Sequence, residues 1–421
     1  MIVTAFNIPI LSYGIVYDLF EKLYVKGFWP LGKIHRYLII IVLVYFIVAI
    51  YWLLKSTNKH QLINYRLNVF FSILILINAT GYLLNNESLN LKGNEFEVST
   101  PKKPQIKDLP DLYFILLDGY ANEHILKKYY QYDNSTFLNK LRQHGFYIAD
   151  SSVANYYSTL LSLNATFNMC YNTDLVNTQR DLDDNKFFKD LKSNGYEIYS
   201  LESGYSVTST LNNVDSLIPI LAPTEFERIL LKYTILKLDD LFGLMHHQRI
   251  SGQISKLDEI SRIGKGPNFF FIHFVSPHPP YVFNENGKHV YGFKNNSSSW
   301  EPKESYIQQL KYMNQVILNF IEKVSVNKNA AIILQSDHGP WIKSPNHQNV
   351  FEARSMVLNA VKFPKMKENL FYRKISLINT FRIFHNVYLN DSLNLLNDSL
   401  AGRAILERGI LFNDLKQVET N

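Results

Sequence analysis

The constraint that decides the fold class lies in a few short runs that are apolar at consecutive positions. Asn268–Val275 reads NFFFIHFV, Leu112–Leu117 reads LYFILL and Ala330–Gln335 reads AAIILQ. A strand with one wet face alternates apolar and polar side chains; these runs do not, so both of their faces must be covered. Tyr196–Leu201 (YEIYSL) and Ser355–Val361 (SMVLNAV) are further candidate strands. Helix-like stretches lie between them at Ser135–His144, Lys186–Ser193, Tyr306–Val324 and Ile375–Tyr388. Strand and helix in alternation predict an α/β domain, with a largely parallel sheet sandwiched by helices. Ligands of such sheets bind at the carboxyl ends of the strands, so chemistry is sought there.

The chain ahead of this domain has another character. Tyr37–Leu54 and Leu67–Leu84 each run for 18 residues without a charge, about 27 Å of helix against a hydrocarbon core of about 30 Å. Residues 2–17 are also apolar and uncharged, interrupted by Asn7 and Pro9. The expectation is a multi-pass membrane segment over 1–90, with spans at about 2–17, 37–54 and 67–84. A polar linker follows at 91–110, then a catalytic domain at 111–421. The loop 55–66 carries Lys55, Lys59 and Arg66 and no acid. The loop 18–36 carries Lys22, Lys26, Lys33 and Arg36 with Asp18 and Glu21, so the Lys/Arg count alone does not choose; placing loop 55–66 in the cytoplasm puts everything after Leu84 outside, anchored to the cell membrane. A hydrophobic share of 47% with only 19% charged residues fits partial immersion in lipid and excludes a disordered chain. The net charge of +6 comes without a dense Lys/Arg run, which argues against a nucleic-acid partner. The single cysteine, Cys170, rules out an internal disulfide and a thiolate metal cage. The spans hold no charge, which speaks against a transporter.

Four segments place reactive side chains where the fold needs them. Leu117-Asp118-Gly119-Tyr120 delivers a carboxylate at the end of the first strand, either a metal ligand or the start of a turn. Gln335-Ser336-Asp337-His338-Gly339 offers one oxygen and one nitrogen ligand after another buried strand. Asn155-Tyr156-Tyr157-Ser158-Thr159-Leu160 passes from a polar loop into a helical pattern. A hydroxyl there is a helix cap or a nucleophile, since the positive helix end favours an oxyanion or a phosphate. Ser276-Pro277-His278-Pro279-Pro280 frames one imidazole with three prolines. His273, inside the strand before it, reads as structural.

Taken in order, these segments resemble the alkaline phosphatase/sulfatase superfamily, and most of all its membrane-anchored sulfatase-like hydrolases and transferases. Lipoteichoic acid synthases and phosphoethanolamine transferases are of this class. The resemblance covers about residues 111–390 and implies an alkaline-phosphatase-like α/β fold. It further implies that Asp118, Thr159, Asp337 and His338 bind a divalent metal ion (Mn, Zn or Mg), one ion rather than two. Thr159 would also be the nucleophile, with Ser158 its rival. His278 would contact the transferred group or the leaving oxygen, and Asn155 and His347 would be substrate-binding. The expected reaction moves or hydrolyses a phospho-group, with a lipid or an envelope glycan as substrate. The alternatives are a sulfuric ester hydrolase and a non-catalytic envelope scaffold. The formylglycine motif C/S-x-P-x-R is missing: the corresponding stretch is SSVANYYSTLLSL, and Cys170 is followed by YNTDL.

Overall fold

Three strands, buried at every position, lie edge to edge at the centre of a seven-stranded sheet. β1 (Asp111–Leu117) runs between β5 (Asn268–Phe274) and β6 (Ala330–Gln335), parallel to both. Beyond β5, β3 (Glu197–Leu201) and the edge strand β4 (Ser216–Ile218) continue the parallel arrangement. Beyond β6, β7 (Asn359–Lys362) turns antiparallel, and β2 (Tyr147–Ile148) pairs antiparallel with it at the other edge. The computed structural model describes residues 109–398, except 173–177, 210, 221, 223–238, 265, 291–299 and 365–368, together with Val44 and Tyr51. The chain divides into two compact units, and this sheet belongs to the one formed by Lys102–Arg228 and Asp239–Thr420. The spans expected at 2–17, 37–54 and 67–84 lie outside the described residues except for Val44 and Tyr51, and so does the linker up to residue 108. Among the described residues no helix is long and apolar enough to cross a membrane.

Strand alternation divides the core into two layers. Tyr113, Ile115 and Leu117 face α1 (Glu123–Tyr130), α2 (Ser135–Gln143), α7 (Asp239–Ile260) and α8 (Lys303–Val324). Leu112, Phe114 and Leu116 face α3 (Thr159–Asn168), α4 (Thr178–Asp183), α5 (Lys186–Ser193) and α10 (Leu377–Tyr388). The short α6 (Ser206–Ser209) follows β3, and α9 (His347–Ser355) precedes β7. Helices cover both faces, as the consecutive apolar runs require. Local signals start the helices: Asn122 accepts a hydrogen bond from the Ile125 amide at 3.0 Å, and Asn185 from the Phe188 amide at 2.9 Å. The second layer centres on Phe114, whose ring meets those of Phe167, Phe271 and Phe381 at 5.7, 5.6 and 4.9 Å.

The strand expected over Ser355–Val361 is shorter and later. Helix α9 runs to Ser355, and the Met356 amide still bonds to the Glu352 carbonyl at 3.1 Å. Met356 and Val357 then make single bridges to Val153 and Ala121, and only Asn359–Lys362 joins the sheet. The apolar run is buried by loops before it is buried by strands.

Replacing Phe114 with alanine removes a ring packed on three others, so the protein is expected to lose roughly 3–5 kcal/mol of stability. Guanidinium unfolding with an unchanged m-value checks this.

Candidate active site

The register of the two central strands fixes the site. β1 and β6 pair Leu116 with Gln335, so two residues further on Asp118 comes abreast of Asp337. Both carboxylates are buried, at 3% and 0% exposure, with His338 at 2%. The His338 Nε2 atom lies 3.3 Å from Asp337 Oδ2 and 3.5 Å from Asp118 Oδ1. Its Nδ1 faces the Gly339 carbonyl at 3.2 Å. A proton on Nδ1 satisfies that carbonyl and leaves the Nε2 lone pair turned toward the two carboxylates.

Helix α3 brings the hydroxyl. Thr159 is its first residue, 4% exposed, and its side chain hydrogen-bonds to the Asp337 carboxylate. Ser158 is the N-cap, yet its hydroxyl makes no capping bond. One turn on, Ser162 Oγ donates to the Asp337 carbonyl at 2.8 Å, tying the helix start to the loop after β6. The glycine after that strand also has a physical reason. A Cβ on Gly339 would stand 2.0 Å from the Ala353 carbonyl oxygen, because the Gly339 amide donates to the Arg354 carbonyl at 2.7 Å.

His278 closes a further side. Its amide donates to the Asp118 carbonyl at 3.0 Å, its Nδ1 pairs with the Pro279 carbonyl at 2.6 Å, and its ring is 6.2 Å from that of His338. Its edge meets the Trp300 indole at 4.7 Å. Trp300 sits directly on Gly119, where a Cβ would come within 2.2 Å of the ring, and Gly119 has a φ of +76°.

The electrostatics are those of two acids sharing a dry space. Burial would raise the Asp118 carboxyl, but His278 above all, with His273 and His338, holds it well below the usual carboxylate range. Burial and then the Asp118 charge push the Asp337 carboxyl up to about 8. Burial lowers His278 and His338, so both are neutral near pH 7. Asp118 Oδ1 and Asp337 Oδ2 have no hydrogen-bond partner, although both are fully enclosed. Two acidic oxygens and an imidazole nitrogen that converge without donors suit a divalent cation. The residues present therefore fit a metal, with Thr159 next to them.

Of the residues expected from sequence, Asp118, Thr159, Asp337, His338 and His278 come together. Asn155 is buried in the loop leading to α3. His347 is exposed on the first turn of α9, just after the cap residue Asn346. The sequence reading set one neighbour aside, His273, and left out two, Arg354 and Trp300. His273 is not simply structural: its Nε2 is 3.8 Å from Asp118 Oδ2, while its Nδ1 pairs with Thr208 Oγ1 at 3.1 Å. Strand parity could have found it, since His273 pairs with Leu116 and points to the same face as Asp118. Arg354 is 5% exposed, and Trp300 1%. Neither carries a local signal in the sequence.

Comparison with known families decides the affiliation. The family model for sulfatases matches residues 110–381. The chain belongs to the sulfatase family. It is thereby a sulfatase-like hydrolase or transferase of the alkaline phosphatase superfamily, and the sheet flanked by helices is that superfamily's architecture. Similar solved structures include the C-terminal periplasmic domain of EcEptC from Escherichia coli, at 12% identity and a TM-score of 0.48 over 68% of this chain and 83% of that one. The integral membrane lipooligosaccharide phosphoethanolamine transferase EptA from Neisseria meningitidis aligns at 13% identity and a TM-score of 0.48, over 89% of this chain and 72% of that one. The lipoteichoic acid synthase LtaP from Listeria monocytogenes aligns at 10% identity and a TM-score of 0.44, over 69% and 75%. Comparison with curated proteins gives no match.

Two outcomes are expected of this sulfatase site. Binding of Mn²⁺ must displace the Asp337 proton, so apparent affinity falls as pH drops below about 8, by about tenfold per unit. Calorimetric titrations between pH 6 and 8 in buffers of different ionisation enthalpy check this. In Gly339→Ala the added methyl collides with backbone rather than a side chain, so Mn²⁺ binding is lost.

Proposed function

We propose that this protein transfers or hydrolyses a phospho-group through a covalent intermediate on Thr159. The observation that carries the reading is the Thr159 hydroxyl, buried at a helix N-terminus and hydrogen-bonded to Asp337. No C/S-x-P-x-R motif accompanies it, so the nucleophile is the hydroxyl itself rather than formylglycine.

Asp118, Asp337, His338 and Thr159 would hold one divalent cation. When bound, that ion supplies the charge that acidifies the Thr159 hydroxyl and neutralises a phosphoryl oxygen. The remaining work falls to the chain. The Thr159–Asp337 hydrogen bond aims the oxygen at phosphorus. A Thr159 Oγ–P bond forms as the bond to the leaving oxygen breaks, and His278 Nε2 passes the proton lost by Thr159 to that oxygen, so the leaving group departs as an alcohol. The free amides of the first turn of α3 face the transferred oxygens. In the second half, water or an acceptor hydroxyl attacks phosphorus and Thr159 leaves. His278, neutral and with Nδ1 engaged by Pro279, offers Nε2 to the hydroxyl that loses its proton. Asn155 and His347 are the further substrate-binding candidates.

The proposed donor is a phospholipid head group, and the acceptor is a lipid or glycan of the cell envelope. The uncharged runs at 37–54 and 67–84 support this, since a membrane anchor over 1–90 would hold residues 111–421 beside lipid substrates outside the cytoplasm.

The test uses the full-length protein in detergent with bis(p-nitrophenyl) phosphate and p-nitrophenyl sulfate in parallel. Diester cleavage is expected with Mn²⁺ or Zn²⁺ and is abolished by EDTA. Thr159→Ala is expected to lower kcat by about a thousandfold or more, and Ser158→Ala by less than about threefold. Cleavage of the sulfate alone would overturn the reading in favour of a sulfuric ester hydrolase. Absence of metal binding would point to a scaffold.

A further inference from the structure

We propose that Arg354 is a positioning residue for this reaction, locking the turn that presents Thr159 to the loop that presents Asp337 and His338. The inference rests on the phospho-transfer reading above and concerns a residue that touches neither phosphorus nor metal.

The geometry is specific. Arg354 Nε and Nη2 both donate to the Tyr157 carbonyl, at 3.0 and 2.7 Å, and Nη1 donates to the Gly339 carbonyl at 2.6 Å. Tyr157 lies two residues before Thr159, and Gly339 follows His338 directly. The backbone completes the clamp, since the Gly339 amide donates to the Arg354 carbonyl at 2.7 Å. The guanidinium is held between two indoles, with its central carbon 5.6 Å from the Trp300 ring and 4.7 Å from that of Trp341.

Three features make this more than core packing. The guanidinium presents its donors in one rigid plane, so the directions from Arg354 to the two carbonyls are fixed together. A lysine ammonium has one nitrogen at the end of a flexible stem and cannot span both. The two carbonyls belong to the segments that must be in register for catalysis, and these come from distant parts of the chain. Two other described ties join them within α3, the Thr159 side chain to the Asp337 carboxylate and Ser162 to the Asp337 carbonyl, and neither holds the turn ahead of the helix. Loss of the clamp therefore leaves the sheet intact and frees the nucleophile turn. A displacement of about 1 Å at a reacting group costs roughly a hundredfold in rate.

The experiment uses full-length Arg354→Lys and Arg354→Ala, bis(p-nitrophenyl) phosphate as the probe substrate and Mn²⁺ as the probe metal. Arg354→Lys is expected to lose about a hundredfold in kcat, with KM and the calorimetric Mn²⁺ Kd within about threefold of wild type. Arg354→Ala should regain about tenfold or more of its kcat on adding guanidinium below denaturing concentration, and none on adding methylammonium. A wild-type kcat in Arg354→Lys overturns the proposal. So does a parallel loss of kcat and Mn²⁺ affinity without guanidinium rescue, which is the pattern of a merely structural residue. If the wild type binds Mn²⁺ but leaves the diester intact, the phospho-transfer reading fails by itself and calorimetry decides on Arg354. Thr159→Ala should then weaken Mn²⁺ binding about tenfold in the wild-type background and only about threefold beside Arg354→Lys. Equal penalties in both backgrounds overturn the proposal.

Discussion

Two carboxylates side by side in a space closed to water are the interaction to which the rest of the structure answers. An unpaired buried carboxylate costs several kcal/mol, and a second one beside it adds repulsion. Asp118 and Asp337 are held there by backbone register rather than by choice of rotamer. Neighbouring groups respond to them. The Gly119 amide donates to Asp337 Oδ1 at 3.3 Å, the Thr159 side chain bonds to the same carboxylate, and His273 and His278 stand near Asp118. These contacts leave one oxygen on each acid without a donor. A positive ion with room for further ligands is what the arrangement lacks.

The sheet distributes the work between its faces. Phe271 precedes His273 on the layer that holds α3, and Asp118 continues the parity of Leu116 in the same layer. Trp300, which packs against His278, belongs to the opposite layer with α7 and α8. Thr159 and the two acids thus hang from one side of the carboxyl rim. The imidazole that would meet the outgoing or incoming oxygen hangs from the other.

The central strands were legible because burial on both faces leaves no polar position to confuse the pattern. Asp118 and the Asp337-His338 pair were legible for the same reason, since each is the first strong polar break after such a run. β2 and β4 were not, because strands of two and three residues carry no period. The apolar run at Ser355–Val361 misled because burial by loops and burial by strands look alike in sequence. Arg354 was illegible on principle: its partners are backbone carbonyls, which have no residue identity. His347 follows the cap residue Asn346 and stands exposed on the first turn of α9.

The layered division has an evolutionary reading. Asp118, His273, Asp337 and Thr159 are fixed by the registers of β1, β5 and β6 and by the start of α3. The layer carrying α7, α8 and Trp300 packs on the other face of the same strands. Drift on that side can reshape what approaches the rim while the reacting atoms keep their spacing. A scaffold of this kind can change its clientele by repacking one side of a sheet, which is how one fold comes to host many substrates.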